Sequence, residues 1–385
     1  MNKDLLRKKF SSDYKNYYEV NLFETEGFSR KQCSNCDNFF WTADESRLTC
    51  PEQPCEQYGF IGNSPTSKKL DYAQCWKAIE EYFIDHGHSS INRYPVVARW
   101  RPDLYFTIAS IVDFQRIEGD KITFEFPENP LIIPQMCLRF NDIENVGVSG
   151  KHFTSFVMIG QHCIANDTGY WKNECIDLDY GLLTNVFGIP KKEIVFKEDV
   201  WVGYGAFGYS LEYYVRGLEL GNAVFTQFEG DPTNYKTMDD KIIDMGAGLE
   251  RFSWLTQGTP TAYESVFGSA IKNMIDKCNI VYDQDFFKNY SKFSGMLNLD
   301  EVSDIEFTRK QVAEKLGVGI DELIEKVTPF ESMFAVLDHV KTLVFAISDG
   351  ALPSNVGGGY NLRVLLRRSL SKIHSQKWNV ELGEI

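Results

Sequence analysis

Residues 241–251, K-I-I-D-M-G-A-G-L-E-R, constrain the fold more than any other part of the chain. The apolar residues before Gly246 predict a buried strand. Gly246 and Gly248 leave one face of its backbone bare, so that a ligand can lie directly against it. Glu250 and Arg251 are predicted to open an amphipathic helix. The stretch therefore predicts a strand-to-helix junction with a glycine floor.

Asp244 is the unusual residue of this stretch, because a carboxylate inside an apolar strand is costly unless a cation meets it. One interpretation is a flat ligand on the glycine floor. Arg251 would then reach an anionic group of the ligand, and Asp244 a cationic one. The other interpretation is a structural ion pair between Asp244 and a nearby arginine. The stretch alone leaves both open.

The composition is that of a globular protein with a large core, since 43% of the 385 residues are hydrophobic and 14% are aromatic. The net charge of -14 argues against a non-specific nucleic-acid coat, although basic residues that cluster locally could bind a specific RNA. The sequence has no apolar run of membrane-spanning length and no signal peptide, so we expect a cytoplasmic location. In that compartment the nine cysteines are expected to be thiols or metal ligands.

Four of the cysteines form two knuckles, Cys33-x-x-Cys36 and Cys50-x-x-x-x-Cys55. This spacing predicts a tetrahedral Zn²⁺ site, which would be structural because four thiolates leave no open position for chemistry. The second knuckle has four intervening residues where two are usual. The alternative is four unrelated cysteines in a loop.

Hydrophobic periodicity predicts a helix over residues 70–85. An extended strand is expected over 91–100, and Pro95 within it places that strand at a sheet margin. Residues 101–115 then read as a strand merging into a short helix, and 121–126 as part of a hairpin.

Two strands are predicted at residues 131–140 and 151–160, joined by a polar loop. Arg139 ends the first strand. His152 and Phe156 are four residues apart on the second, so we expect them to share a face. An arginine that forks onto phosphate and a ring that stacks on a base suit a nucleoside phosphate. A core aromatic residue beside a surface arginine is the alternative.

The second half of the chain turns from strands to helices. Residues 200–208 predict a glycine- and aromatic-rich pocket wall, and 218–229 a strand that contains Asn222. Residues 269–330 read as helical, and a strong helix follows from 331. The sequence shows no internal repeat, no Ser-His-Asp arrangement and no HExxH motif.

A basic helix is predicted from residue 361, in an otherwise acidic chain. Five basic residues gather on and around it: Arg363, Arg367, Arg368, Lys372 and His374. The helix is therefore a local positive patch, or alternatively a solvated helix face.

Together these stretches resemble the class II aminoacyl-tRNA synthetases, and among them the archaeal type of alanyl-tRNA synthetase, over essentially the whole chain. The helix and strand around Pro95 resemble the first motif of the class, the hairpin from Arg139 to Phe156 the second, and residues 245–251 the third. The runs R-F-N-D-I-E-N-V-G, D-M-G-A-G-L-E-R and S-D-G-A-L-P-S-N-V-G-G-G-Y-N-L-R are together distinctive of the alanine family. The cysteine knuckles fit its archaeal branch.

The resemblance implies an α+β fold, with an antiparallel sheet flanked by helices and followed by a helical region that recognises tRNA. It implies an N-terminal segment with the cysteine knuckles at 1–66, a catalytic domain at 67–268 and an incomplete acceptor-stem region at 269–385.

The implied reaction has two steps. The carboxylate of alanine attacks the α-phosphorus of ATP, with Mg²⁺, and the alanyl group then passes from the adenylate to tRNA(Ala). Arg139 resembles the residue that holds the α-phosphate, Phe156 the ring that stacks on adenine, and Arg251 the residue that grips the γ-phosphate. His152 is grouped with them, and Asp244 falls where the family binds the alanine ammonium. Four further residues match the alanine pocket: Trp201, Asn222, Met158 and Gly246.

Asn355 matches the asparagine with which the family reads a G·U pair of the acceptor stem. Arg363, Arg367 and Arg368 are expected to contact the same RNA. The family's partner aspartate lies beyond residue 385, as do its editing and oligomerisation domains. We therefore expect a piece of a longer chain, one half of a split enzyme completed by a second polypeptide, or a stand-alone paralogue.

The chain departs from the class at Asn141, where the second motif usually has a glutamate; Asp142 and Glu144 are the candidates to replace it. Without editing, activation of glycine and serine is expected alongside alanine. Two alternative functions stay open. One is a paralogue that makes alanyl-adenylate for another acceptor, and the other is a non-catalytic RNA-binding derivative.

Overall fold

A computed structural model describes residues 3–118, 121–203, 205–231, 233–281, 283–297 and 305–385. The strands are β1 (Ser29–Gln32), β2 (Phe39–Thr42), β3 (Ser89–Ser90), β4 (Gln115–Glu118), β5 (Lys121–Phe124), β6 (Leu131–Leu138), β7 (Ser155–Ile164), β8 (Ile194–Gly203), β9 (Ala206–Val215), β10 (Leu218–Asp231) and β11 (Asn234–Gly248). The helices are α1 (Lys3–Ser12), α2 (Tyr14–Tyr17), α3 (Asn21–Thr25), α4 (Tyr72–Asp85), α5 (Lys172–Gly181), α6 (Leu249–Gln257), α7 (Ala262–Phe267), α8 (Ser269–Cys278), α9 (Gln284–Ser294), α10 (Ile305–Leu316), α11 (Ile320–Ser348) and α12 (Gly357–Ser375).

One sheet dominates the fold, with the strand order β1-β2-β8-β9-β10-β11-β7-β6-β3 among the described residues. Its neighbouring strands are antiparallel except for β3 and β6, which are parallel. β4 and β5 form a separate hairpin. Helices flank the sheet, and the chain continues into helices after α6, so the expected α+β class is confirmed. β1 and β2 extend this same sheet through β8, and the boundary drawn at residue 66 stays a prediction.

The register of the three central strands decides which side chains share a face. Asp244 on β11 lies opposite His162 on β7 and Val224 on β10. Two residues further along, Gly246 lies opposite Gly160 and Asn222. Because side chains alternate along a strand, these residues line one face of the sheet. The intervening β11 residues Ile243, Met245 and Ala247 are buried on the other face.

β7 begins later than predicted, at Ser155 rather than near residue 151. The prediction that His152 and Phe156 share a strand face is therefore wrong. His152 lies in the preceding turn, where its Nδ1 is 2.6 Å from Ser149 Oγ and its carbonyl accepts a hydrogen bond from the Tyr263 hydroxyl. These local contacts hold the residue out of the strand.

The predicted edge strand at 91–100 is also largely wrong. β3 does form the edge of the sheet, but it has only two residues. Beyond it, residues 91–100 make a single isolated bridge in the described structure, Val97 to Phe106. Asp349 contributes to the interruption, because its carboxylate accepts the Val96 N–H that a neighbouring strand would otherwise bind; it also pairs with the Arg93 side chain. In the next stretch the short helix is confirmed as a 3-10 helix, Ser110–Phe114, while the strand predicted before it is absent from these described residues.

The other predicted elements are confirmed more closely. α4 begins at Tyr72, close to the predicted residue 70, and a capping box between Asp71 and Gln74 fixes its start. Residues 200–208 form the turn and flanks of the β8–β9 hairpin, with residue 204 outside the described residues. The helices predicted over 269–330 are present, with residues 282 and 298–304 outside the described part. None of the helices in the described residues has the length and apolar character needed to cross a bilayer.

Candidate active site

A cleft of about 440 Å³ opens over the face of the sheet that carries Asp244. Its volume suits a small-molecule ligand. It is lined by all nine residues that the sequence suggests for a nucleotide and an amino acid: Arg139, His152, Phe156, Met158, Trp201, Asn222, Asp244, Gly246 and Arg251. The structure thus brings these residues to one place, while their individual roles remain predictions.

The floor of the cleft depends on two glycines of β11. A Cβ atom at Gly246 would lie 3.0 Å from Met158 Sδ, and one at Gly248 would lie 3.2 Å from the Arg251 side chain. Real Cβ atoms rarely approach neighbours so closely, so a side chain here would push into the cleft walls. The two glycines therefore keep the floor of the cleft free of side-chain atoms.

Asp244 faces the cleft without an arginine partner among the described residues. The residue is 9% exposed, and its nearest ionisable neighbour is His162, with Nδ1 3.5 Å from Oδ1. Burial raises the pKa of the Asp244 carboxyl to about 7, against the opposing charge of Arg139. The alternative of a structural Asp244–arginine pair is wrong, and the carboxyl is left facing a site that a cation could enter.

Arg139 and Phe156 form one wall of the cleft. The guanidinium carbon of Arg139 lies 5.0 Å from the centre of the Phe156 ring, within cation–π range. Arg139 Nε also donates to the Ile108 carbonyl at 2.8 Å, which fixes the direction of the side chain. An oriented cation beside an aromatic face is suited to a phosphate next to a planar base.

Arg251 and His152 line the cleft beyond the glycine floor. Arg251 Nη1 lies 3.0 Å from Glu219 Oε2. Burial opposes its charge, but Glu219 outweighs burial and raises the Arg251 pKa above its ordinary value. Burial lowers the pKa of His152 to about 3, helped by the positive charges of Lys151 and Arg251. This end of the cleft therefore has a permanent cation beside a neutral imidazole.

Glu250 is a cleft residue to which the sequence assigned only a place at the start of a helix. It is 2% exposed, and its carboxylate accepts the Val157 N–H at 3.0 and 3.2 Å and the Tyr72 hydroxyl at 2.8 Å. Lys341 Nζ on α11 lies 3.6 Å away. Glu250 thus ties β7, α4 and α11 to the first turn of α6.

The structure also contradicts the expectation that the chain has no Ser-His-Asp arrangement. Ser110 Oγ is 2.9 Å from His162 Nε2, and the other nitrogen of that ring faces Asp244. Ser110 is fully buried, so the serine cannot serve as a nucleophile for a ligand in the cleft. No sequence signal connects these three residues, because they lie on a 3-10 helix, β7 and β11.

The four cysteines of the two knuckles converge beside the β1–β2 hairpin, with their Sγ atoms all within 4.8 Å of one another. The Sγ atoms of Cys36 and Cys50 are 3.5 Å apart, and those of Cys33 and Cys55 are 3.8 Å apart. A tetrahedron with Zn–S bonds of 2.3 Å has sulfur atoms separated by about 3.8 Å. Against burial, backbone N–H groups of the knuckles lower the pKa of Cys33 to about 6, whereas burial raises the pKa of Cys50 and raises that of Cys55 to about 11, so the fit to zinc rests on the positions of the sulfur atoms. The donor set therefore fits zinc, and the alternative of unrelated cysteines does not explain the cluster.

The residues suggested for tRNA lie away from the cleft, after α11. Asn355 is exposed in the loop before α12, and Arg363 and Arg367 are exposed on α12 without an ion pair among the described residues. Arg368 instead pairs with Glu144 after β6. Burial lowers the pKa of Lys372. The accessible positive patch is therefore smaller than the sequence pattern indicates.

Comparisons with known proteins find sequences that are similar over the whole chain. The family model described as "tRNA synthetases class II (A)" matches residues 78–383. The chain is 53% identical over its whole length to proteins named alanine–tRNA ligase from Nitrosopumilus maritimus and Cenarchaeum symbiosum. It is 42% identical to the protein of that name from Methanocella arvoryzae. The chain spans 43–44% of the length of these curated relatives.

Proposed function

The chain belongs to the family of class II tRNA synthetases (A), and on that premise we propose that its cleft activates alanine with ATP. A carboxylate oxygen of alanine attacks the α-phosphorus, the bond to the β-phosphate oxygen breaks, and alanyl-adenylate and pyrophosphate form. The observation that carries this proposal is Asp244, a buried carboxyl on a glycine floor whose cleft also contains Arg139 and Arg251. The name of the 53% identical relatives supports alanine as the amino acid.

In this proposal Asp244 binds the ammonium group of alanine. The methyl group lies among Trp201, Met158 and Gly246, where a Cβ atom at 246 would already crowd Met158 Sδ at 3.0 Å. Asn222 Oδ1 is buried without a hydrogen-bond partner in the described structure, and it offers the ammonium a second acceptor. Together these residues favour a small α-amino acid.

The nucleotide occupies the other half of the cleft. Phe156 stacks on adenine, and Arg139 bridges the α-phosphate and the alanine carboxylate. Arg251 binds the terminal phosphate, which replaces Glu219 as its partner. His152 packs beside the phosphates. Asp142 and Glu219 are the cleft carboxylates best suited to hold Mg²⁺, which would neutralise phosphate charge. Because the reaction needs little proton transfer, positioning and charge stabilisation account for catalysis.

A pyrophosphate burst tests the activation step. The protein is mixed with ATP, Mg²⁺ and one amino acid, and pyrophosphate released per chain is measured in the first turnover. We expect about one pyrophosphate per chain with alanine, slower bursts with glycine and serine, and none with valine, because discrimination between small side chains is limited. A folded protein that binds ATP but shows no burst with alanine would overturn the proposal.

We further propose that the four cysteines hold a structural Zn²⁺ and that the protein acts in the cytoplasm. We also propose that residues 269–385 present Asn355 and α12 to the acceptor stem of tRNA(Ala). Arg363 and Arg367 would contact phosphates, since they are the exposed arginines of α12 without ion-pair partners in the described structure. Replacing both with Gln should weaken tRNA binding and reduce the slope of log affinity against log salt by about 1–2. A Lys8→Gln/Lys15→Gln variant of exposed α1–α2 lysines is the matched control and should leave the slope unchanged.

A further inference from the structure

A continuous line of three polar side chains runs from the protein interior to the floor of the cleft. Ser110 Oγ lies 2.9 Å from His162 Nε2, and His162 Nδ1 lies 3.5 Å from Asp244 Oδ1. Ser110 and His162 are fully buried, while the Asp244 side chain is 12% exposed. A ligand in the cleft can therefore touch only the last member of the line.

The surroundings of His162 hold its ring in one orientation. The His162 ring lies nearly parallel to the Phe126 ring, with their centroids 6.1 Å apart, and packs in a T-shaped arrangement with Phe114 at a centroid distance of 5.4 Å. A Cβ atom at Gly160 would overlap both His162 Nε2 and Ser110 Oγ, so only glycine leaves room for their hydrogen bond. Residues of the 3-10 helix, of β7 and of the segment after β5 therefore fix the positions of Ser110 and His162.

Counting donors and acceptors indicates which ring nitrogen carries the proton. Burial lowers the pKa of His162 to about 3, so the ring is neutral and has one N–H. If Nε2–H donated to Ser110, the buried serine hydroxyl would be left without an acceptor among its described contacts, which is costly. If Ser110 donates to Nε2, the serine hydrogen has its acceptor and the ring proton lies on Nδ1. That atom makes no well-formed hydrogen bond in the described structure. It faces Asp244 at 3.5 Å, and the Ile243 backbone also interacts with the ring.

We propose that Ser110 and His162 are positioning residues that hold an N–H in reserve for the ionised form of Asp244, and so favour substrates with an ammonium group. This inference rests on the proposed activation of alanine and adds the groups that prepare its ammonium site. The titratable or charged groups that face Asp244 are His162 on β7 and Arg139 after β6; β10 presents Val224, and β8 presents Trp201. When an ammonium enters, the Asp244 carboxylate receives donors from the ligand on one side and from His162 on the other.

The test is alanine-dependent ATP–pyrophosphate exchange with KM measured separately for alanine and for ATP. His162→Leu removes the donor at similar volume, and we expect the alanine KM to rise about tenfold or more, equivalent to about 1.4 kcal/mol, with the ATP KM within about twofold. His162→Asn places an amide N–H near the Nδ1 position and should recover most of the loss. Ser110→Ala removes the hydroxyl that fixes the ring proton on Nδ1, so both tautomers of His162 become accessible. We expect an alanine KM between those of the wild type and His162→Leu.

His88 provides the matched control, because it is another buried histidine near the sheet edge, with Nε2 2.7 Å from the Tyr170 hydroxyl and no contact with the cleft. His88→Asn should alter the unfolding midpoint without changing the alanine KM. The inference is overturned if Ser110→Ala and whichever His162 variants fold keep the wild-type alanine KM, or raise the KM of alanine and ATP equally. A wild type without any exchange would instead count against the proposed function itself.

Discussion

Asp244 is the residue at which burial and ligand chemistry oppose each other most directly. Burial raises the pKa of its carboxyl to about 7, so a proton occupies the carboxyl at lower pH and competes with a substrate ammonium. We predict that the alanine KM falls about tenfold between pH 6 and pH 8, as the ionised fraction rises from about 10% to about 90%. Asp244→Asn should give a high alanine KM that does not vary over this range.

The same shift predicts the effect of Asp244 on stability. A carboxyl whose folded-state pKa lies above its unfolded value favours folding at low pH, and that contribution is lost as pH rises from about 4 to about 7. Asp244→Asn should therefore gain stability relative to the wild type as pH rises, measured by urea unfolding.

For the predicted pH dependence of alanine binding, a wild-type alanine KM that is flat or rises with pH would contradict the assignment of Asp244.

Gly246 sets the depth of the amino-acid site. A methyl group added there would meet Met158 Sδ at 3.0 Å and must displace that side chain or enter the space proposed for the substrate methyl. We predict that Gly246→Ala raises the alanine KM about tenfold, since overpacking costs ~1–3 kcal/mol, and leaves the ATP KM nearly unchanged. Gly383→Ala is the control, because a Cβ atom there meets nothing within 4 Å. Equal alanine KM values for both variants would refute the glycine-floor argument.

At the scale of elements, α11 joins the cleft to the loop that carries Asn355. Lys341 Nζ donates to the Ser155 carbonyl at 2.9 Å at the start of β7 and lies 3.6 Å from Glu250. Eight residues later Asp349, at the end of the helix, holds Arg93 and the Val96 N–H. One helix therefore touches both proposed functional regions.

Lys341→Met should lower the free energy of unfolding by about 1–3 kcal/mol, because the buried Glu250 carboxylate loses its cation and keeps only neutral donors. Lys326→Met is the matched control on the same helix, where the lysine pairs with Glu322 at the surface. That exposed pair should contribute less than about 1 kcal/mol. Urea titrations of the two variants measure the difference, and equal losses would show that the Lys341–Glu250 contact has no special weight.

The cysteine cluster supports the edge of the sheet through β2 and β8. Cys33 and Cys50 pack with Phe40 and Val195, which belong to those two strands. We predict about one zinc per chain by atomic emission, lost together with part of the thermal stability in Cys36→Ser. Cys278→Ser should retain the metal, because Cys278 lies outside the cluster. Full stability of a metal-free Cys36→Ser protein would contradict a structural role.

At the scale of the whole molecule, the parts that could be predicted from sequence are those specified locally. The end of β11 follows from its apolar run and glycines, and α4 from the spacing of its apolar residues. The α+β class and the convergence of the cleft residues came from the resemblance to a known family, which carries long-range information that periodicity does not. The four-cysteine cluster followed from spacing alone.

What could not be predicted depends on partners that are distant in sequence. The interrupted edge near Pro95 depends on Asp349, more than 250 residues away. One of the two interpretations of the sequence gave Asp244 an arginine as its neighbour, but the ionisable side chain within 4 Å is a histidine brought alongside by the β7–β11 register. Arg368 reads as part of a basic helix face, yet Glu144 pairs with it across the fold. In each case the tertiary contact outweighs the local pattern.

The most direct test of the central claim is alanine-dependent ATP–pyrophosphate exchange by the wild type and by Asp244→Asn, with ATP binding by calorimetry as the measure of an intact nucleotide half. The account predicts exchange in the wild type and a collapse of exchange in Asp244→Asn, which still binds ATP. Exchange that survives in Asp244→Asn at the same alanine KM, or a folded wild type that binds ATP and shows no exchange with alanine, would contradict it.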